Sequence, residues 1–438
     1  MITRRLQYEL AGHVTGPVLM ALENYRLQRR RRRRTPKEHP FGPPIACSRK
    51  MKDLMSIYYY QGRWADGAVP VAWISSGFPV ELMRPFGFYA VYPENHGALC
   101  AARHMMPELA GVAEEAGYSQ DLCAYARTDI GSVLSGKTPL GRMPRPDLVA
   151  VCSNICQTVL YWFRTIADHF GVPFFILDTP YVYGDFKDYH LDFVADQLAE
   201  LAAVARDVSG RDVSDEELDR VNRTAKEGAR LWGECLDASR HRPAPWTAFD
   251  QFFHMAPVVT LRGTEDCNVY YRELRDELND RVARGIGGIK DERHRLLWDN
   301  IAIWPKLREL SWLFAGNGFN FVTATYTNSW RESVPLWDLD DRVNSSAKML
   351  SNTLLNRDLR NRVRLIRELI SVFGADGVVL HSDRSCKPYS VGQYDLKEAF
   401  TRELGVKVAV IEADHADPRQ YAAEQVENRL QAFMESFQ

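Results

Sequence analysis

Short apolar runs recur along the first half of the chain with helix-length segments between most of them. Val69-Pro70-Val71-Ala72-Trp73-Ile74 ends in Ser75-Ser76-Gly77, and Phe88-Tyr89-Ala90-Val91-Tyr92 ends in Pro93-Glu94-Asn95. Residues 147–152 and 173–178 complete a set of four strands of the kind buried on both faces. Before them, residues 1–68 read as helix and loop, with prolines at 36, 40, 43 and 44 that break any helix. After them the strand signal stops from about Lys187 to Phe249, where Ser214-Asp215-Glu216-Glu217 opens a helical pattern with a capping box. A second alternating series follows at 258–261, 321–326, 377–381 and 407–411.

This pattern predicts an α/β protein with two Rossmann-like, doubly wound parallel sheets. The expected organisation is a helical N-terminal extension over 1–68, a first α/β domain over 69–186, a helical bridge over 187–250 and a second α/β domain over 251–438. A chain of 438 residues, 45% hydrophobic and 26% charged, is long enough for such a pair of cores.

The formal net charge of −2 argues against nucleic acid or an anionic membrane surface as partner. Arg29 to Arg34 form a local basic run, read either as a solvated helix end or as a contact to phosphate or an acidic neighbour. No stretch of 18 apolar residues and no signal-peptide pattern occurs, so a cytoplasmic location is expected. Eight cysteines in such a chain read as thiols or metal ligands before disulfides.

Ligands of open parallel sheets bind beyond the carboxyl ends of the strands, where helix N-termini present free N–H groups. Cys156 follows the strand 147–152, Cys386 follows the strand 377–381, and Cys123 lies in a polar segment able to reach them. Arg127, Arg384, Lys387 or a helix start at Cys156 would lower the thiol pKa and favour thiolate. Each cysteine taken singly reads equally as a small core residue, and no compact Cys-x2-Cys rhythm is present. Cys100 and Cys152 read as core, with Cys152 the competitor to Cys156, while Cys47, Cys235 and Cys267 have no convergent partners.

Five short motifs in order carry a resemblance: Ile74-Ser75-Ser76-Gly77-Phe78-Pro79 with Glu81, Tyr92-Pro93-Glu94-Asn95, Cys123-Ala124-Tyr125-Ala126-Arg127, Cys152-Ser153-Asn154-Ile155-Cys156 and Arg384-Ser385-Cys386-Lys387-Pro388. Over roughly residues 45–430 the chain resembles the family of 2-hydroxyacyl-CoA dehydratases and ATP-dependent benzoyl-CoA reductases, most of all the larger cluster-binding reductase subunit. The resemblance implies an iron-sulfur cluster (4Fe-4S) held by Cys123, Cys156 and Cys386, with one iron left open. It also implies that Ser75 or Ser76 and Glu94 lie near the acyl group, with Glu94 as acid or base and His96 as a second proton donor.

No Walker sequence is present, so ATP would be handled by separate iron-sulfur activase subunits, alongside a homologous second cluster-binding subunit. The expected activity is therefore that of an oxidoreductase subunit passing electrons to the ring of benzoyl-CoA. A dehydratase working through a ketyl radical, and a non-enzymatic double-cubane electron-transfer protein, are the alternatives.

Overall fold

In the computed structural model, which describes residues 2–31 and 38–437, two four-stranded sheets share one topology. The first contains β1 (Val71–Ile74), β2 (Tyr89–Val91), β3 (Leu148–Cys152) and β4 (Phe174–Leu177), in the order β2-β1-β3-β4 and parallel throughout. The second contains β5 (His294–Asp299), β6 (Phe319–Ala324), β7 (Gly377–Asp383) and β8 (Lys407–Ala413), in the order β6-β5-β7-β8, again parallel. The chain winds outward in opposite directions from β1 and β3, and again from β5 and β7. Each sheet therefore has a topological switch point at its centre, the place where loops part and leave a crevice.

β1 and β3 are buried along their whole length, as strands covered by helices on both faces must be. A single buried cluster runs from Ala72 and Ile74 of β1 through Trp232 and Trp246 to Trp298 and Phe321 of the second sheet. The two sheets are thus fixed against each other by one continuous apolar core. Helices Asp188–Ser209 and Asp215–Asp237 occupy the expected bridge, and the Ser214–Glu217 capping box is formed. Helix Cys47–Gly62 begins after the proline-rich break. The basic run starts at the end of helix Gly16–Arg31, and Arg32 to Arg34 lie outside the described residues.

Two elements differ from the expected series. Val258-Val259-Thr260 lies in the short helix Ala256–Thr260, not in a strand. The run is buried, and a short apolar run without alternation fits a buried helical turn as well as a strand; Pro257 at the helix start tips it to helix. The strand paired with β6 is instead β5, His-Arg-Leu-Leu-Trp-Asp, whose charged Arg295 and Asp299 hide it from an apolar search. Both charges are buried and satisfied. Arg295 donates to the carbonyls of Ser239, His241 and Phe373 and pairs with Glu292 at 2.7 Å. Asp299 receives Arg362 and Gln393, each at 2.9 Å.

Candidate functional site

The carboxyl edges of the two sheets face a common cavity of about 200 Å³. The first switch point supplies Ser76 and Gly77 after β1, then Asn154 and Cys156 after β3; the second supplies Ile301 after β5 and Cys386 after β7. The loops after β1 and β3 touch. A Cβ at Gly77 would stand 3.0 Å from Asn154 Oδ1 and from Ile155 Cδ1, so glycine lets the two loops close the floor.

Cys123, Cys156 and Cys386 all line this cavity, and each is the residue capping a helix N-terminus: Ala124–Ser135, Gln157–Phe170 and Lys387–Ser390. Their sulfurs lie within electrostatic reach of one another. Cross-domain bonds hold this arrangement. Ser385 Oγ accepts the Ala124 N–H at 3.1 Å and donates to Asp414 at 2.5 Å, which ties the Cys123 turn to the Cys386 turn. Arg127, with no exposed surface, binds Leu122 O and pairs with Glu114 at 2.6 Å and Asp417 at 3.2 Å. Asn154 Nδ2 donates across the boundary to Leu350 O and Thr353 Oγ1, each at 3.0 Å.

Arg127 and Lys387, two of the cations named from sequence, do not serve the thiols. Arg127 is spent on carboxylates, and Lys387 Nζ donates to Arg384 O. Burial instead pushes the Cys156 thiol up to about 12, with Cys123 adding to the rise, and lifts the Cys386 thiol well above its ordinary value. Desolvation outweighs the helix ends, so Cys156 and Cys386 by themselves favour the protonated form. Cys152 lies in β3 with no exposed surface and does not line the cavity; Cys100 lies buried against His96.

Glu94, in the first turn of helix Pro93–Ala102, points into the same cavity. Its Oε1 accepts the Ser76 N–H at 2.9 Å, while buried Oε2 has no hydrogen-bond partner among the described residues. Burial pushes this carboxyl up to about 7, against the opposing pull of the Ser76 hydrogen bond. The site therefore holds a group able to give or take a proton near neutrality.

Two other residues named from sequence face elsewhere. Ser75 Oγ accepts the Cys152 N–H at 3.1 Å and stitches β1 to β3; strand alternation turns Ser75 inward when Ser76 faces the crevice. His96 is 1% exposed and sits between Asp129 Oδ1 at 2.6 Å and Thr138 Oγ1 at 2.9 Å. Burial alone would lower its pKa, but Asp129 and Cys100 together outweigh it and carry it up to about 10. It is a core ion pair without access to the cavity.

Asn154, the buried Glu81–Arg262 pair at 3.1 Å, Tyr326, Trp330, Trp337 and Tyr389 also line the cavity, and none of them has a role assigned from the sequence. Asn154 and Tyr326 follow strand ends and are reachable by the same search; Tyr326 is hidden because the apolar run of the strand continues through it. Behind Cys123 and Cys386, Asp383, Asp414 and His415 bring ligand atoms within 4.8 Å of one another. Their carboxylates are occupied by the N–H groups of Ser385, Cys386, Ala416 and Asp417, and His415 Nδ1 meets Asp383 at 2.7 Å. This group buttresses the cysteine turns.

Twin switch points that enclose three thiols and a raised carboxyl set the class: the chain belongs to the 2-hydroxyglutaryl-CoA dehydratase D-component family, whose model matches residues 75–437. The (R)-2-hydroxyisocaproyl-CoA dehydratase alpha subunit of Clostridioides difficile is 31% identical over 389 residues, covering 88% of this chain and 94% of that protein. The alpha subunit of (R)-2-hydroxyglutaryl-CoA dehydratase from Acidaminococcus fermentans is 26% identical, covering 89% and 96%. A benzoyl-CoA reductase subunit of Thauera aromatica is 29% identical over 406 residues, covering 88% and 93%. Among the described residues no helix is long and apolar enough to cross a membrane.

Proposed function

We propose that this chain is an iron-sulfur subunit of a 2-hydroxyacyl-CoA dehydratase, with Cys123, Cys156 and Cys386 as ligands of one 4Fe-4S cluster and the cavity as the acyl site. The observation that carries the reading is the meeting of three thiols with Glu94 in one apolar cavity. Soft sulfur donors suit iron-sulfur chemistry, and the burial of Cys156 and Cys386 as neutral thiols is what a bound cation would reverse. When bound, a cluster on three thiolates supplies one-electron transfer and an open iron that acts as a Lewis acid.

The chain's own groups do the rest. Trp162, Trp330, Trp337 and Tyr389 exclude water from the acyl group. Glu94 Oε2 accepts or returns a proton at the substrate. Asn154 Oδ1, buried and without a partner among the described residues, is a second acceptor suited to a 2-hydroxyl. Dehydration is redox-neutral overall: the borrowed electron is returned, and water leaves as the 2-hydroxyl and a proton from the neighbouring carbon. Electrons would arrive from a separate ATP-hydrolysing iron-sulfur activase, and a homologous second subunit would complete the enzyme. The relatives are themselves named as subunits of larger enzymes, which supports a multisubunit assembly.

The aryl-CoA reductase reading stands second, favoured by the flat aromatic walls of the cavity and by the benzoyl-CoA reductase relative. The test is anaerobic reconstitution followed by assay with a 2-hydroxyacyl-CoA and with benzoyl-CoA, each with activase and ATP. About four iron and four sulfide per chain are expected. Cys123→Ala, Cys156→Ala and Cys386→Ala should each abolish the visible cluster absorbance, and Cys100→Ala and Cys235→Ala should keep it. Reconstituted protein without iron would refute the reading, and ring reduction without dehydration would promote the second one.

A further inference from the structure

The polar groups of the cavity are unevenly satisfied. Ser76 N–H is taken by Glu94, and the Arg262 guanidinium is taken by Glu81, Val258 O and Phe78 O. Tyr125 OH receives Trp304 Nε1. Tyr326 is different. It lines the cavity at the start of helix Thr325–Ser333, directly beyond the carboxyl end of β6, and its ring packs on Phe252. Its hydroxyl has no hydrogen-bond partner among the described residues.

The backbone beneath it is pinned. Thr325 Oγ1 donates to Asp299 at 2.9 Å and accepts the Asn300 N–H at 3.0 Å, so the helix start that presents Tyr326 is anchored to the end of β5. Tyr326 shares the cavity wall with Glu94 of the first domain and Cys386 of the second, and both lie within electrostatic reach of its hydroxyl. Tyr389, the other cavity phenol without a bonded hydroxyl partner among the described residues, lies near Cys386 and Tyr326, with Arg362 stacked on its ring. An unpartnered O–H and an unpartnered carboxyl oxygen lining one apolar cavity are a donor and an acceptor left for a ligand's oxygens.

We infer that Tyr326 donates a hydrogen bond to the thioester carbonyl oxygen of the bound acyl-CoA and so orients the acyl carbon toward Glu94 and the cysteine turns. The inference rests on the reading of the cavity as an acyl-CoA site. It assigns the second domain a polar contact to substrate from a residue on neither cysteine turn.

Two compounds that differ by one oxygen test it: hexanoyl-CoA and its thioether S-hexyl-CoA, titrated by calorimetry into anaerobically reconstituted full-length protein without an electron donor. Wild type should bind the thioester more tightly by about 2- to 10-fold, the worth of one hydrogen bond. Tyr326→Phe should bring the ratio near one while retaining iron. Because the ratio is taken within each protein, a general loss of affinity cancels. Both compounds bound with the same ratio in wild type and Tyr326→Phe would overturn the inference alone, as would loss of the ratio in Tyr389→Phe but not in Tyr326→Phe. Failure of wild type to bind either compound would overturn the acyl-CoA reading and the inference with it.

Discussion

Glu94→Gln should make the protein more stable at pH 8 than at pH 5, relative to wild type. The amide keeps the shape and still accepts the Ser76 N–H, but it cannot ionise. In wild type the folded carboxyl ionises near 7, against an ordinary 4.5, because burial disfavours its charge. Below pH 4.5 both folded and unfolded chains hold the proton, and the two proteins should match. Between 4.5 and 7 the unfolded chain releases its proton first, so wild-type stability falls as pH rises; above 7 the loss is complete. A shift of this size is worth about 3 kcal/mol, and Oε2 is fully buried, so little of it is lost to solvent. For 438 residues unfolding together, with about 0.9 kcal/mol per kelvin of unfolding entropy, that is a Tm difference of about 3–4 °C. Thermal melts followed by circular dichroism, on iron-free protein under reducing conditions from about pH 4.5 to 8.5, give the measurement. A constant Tm offset across that range, or a gap that narrows toward pH 8, would refute the reasoning.

Three further substitutions probe the scaffold. Ser75→Ala removes the acceptor of the buried Cys152 N–H and should cost about 1–3 kcal/mol in denaturant unfolding, with cluster absorbance retained. Arg362→Met leaves Asp299 charged and buried without its 2.9 Å partner and should cost about 3–5 kcal/mol; unchanged denaturation midpoints would count against that ion pair. Gly131→Ala would set a Cβ 1.7 Å from Leu109 O, where helices Met106–Glu115 and Ala124–Ser135 meet backbone to backbone, and should lower stability by about 1–3 kcal/mol. A Tm equal to wild type would show that the helices part freely.

Seven of the eight strands are legible because they are apolar runs that end in turn residues. β5 is not, since Arg295 and Asp299 are polar in composition and their burial depends largely on partners more than fifty residues away, such as Ser239, Phe373 and Arg362. Residues 256–260 mislead for the opposite reason: the segment is apolar enough for a strand but is a helical turn started by Pro257. At the site, the cysteines and Glu94 are readable from their place after strands and from family motifs. Ser75 and His96 lie one and two residues from cavity residues, yet side-chain direction sends them to the core. Trp330 and Trp337 carry no local mark, because only the meeting of two domains gives them a common space.

That meeting also sets an order of events during synthesis. The cavity wall runs from Ser76 to Tyr389, and the Cys386 turn is held by Asp414 through Ser385. The pocket therefore does not exist until the chain through Asp414 has left the ribosome, about 20–70 s after Ser76 at ordinary elongation rates. Whatever occupies it must be delivered after both domains have been made, and a chain stalled before the second domain exposes Cys123 and Cys156 without the turn that closes over them.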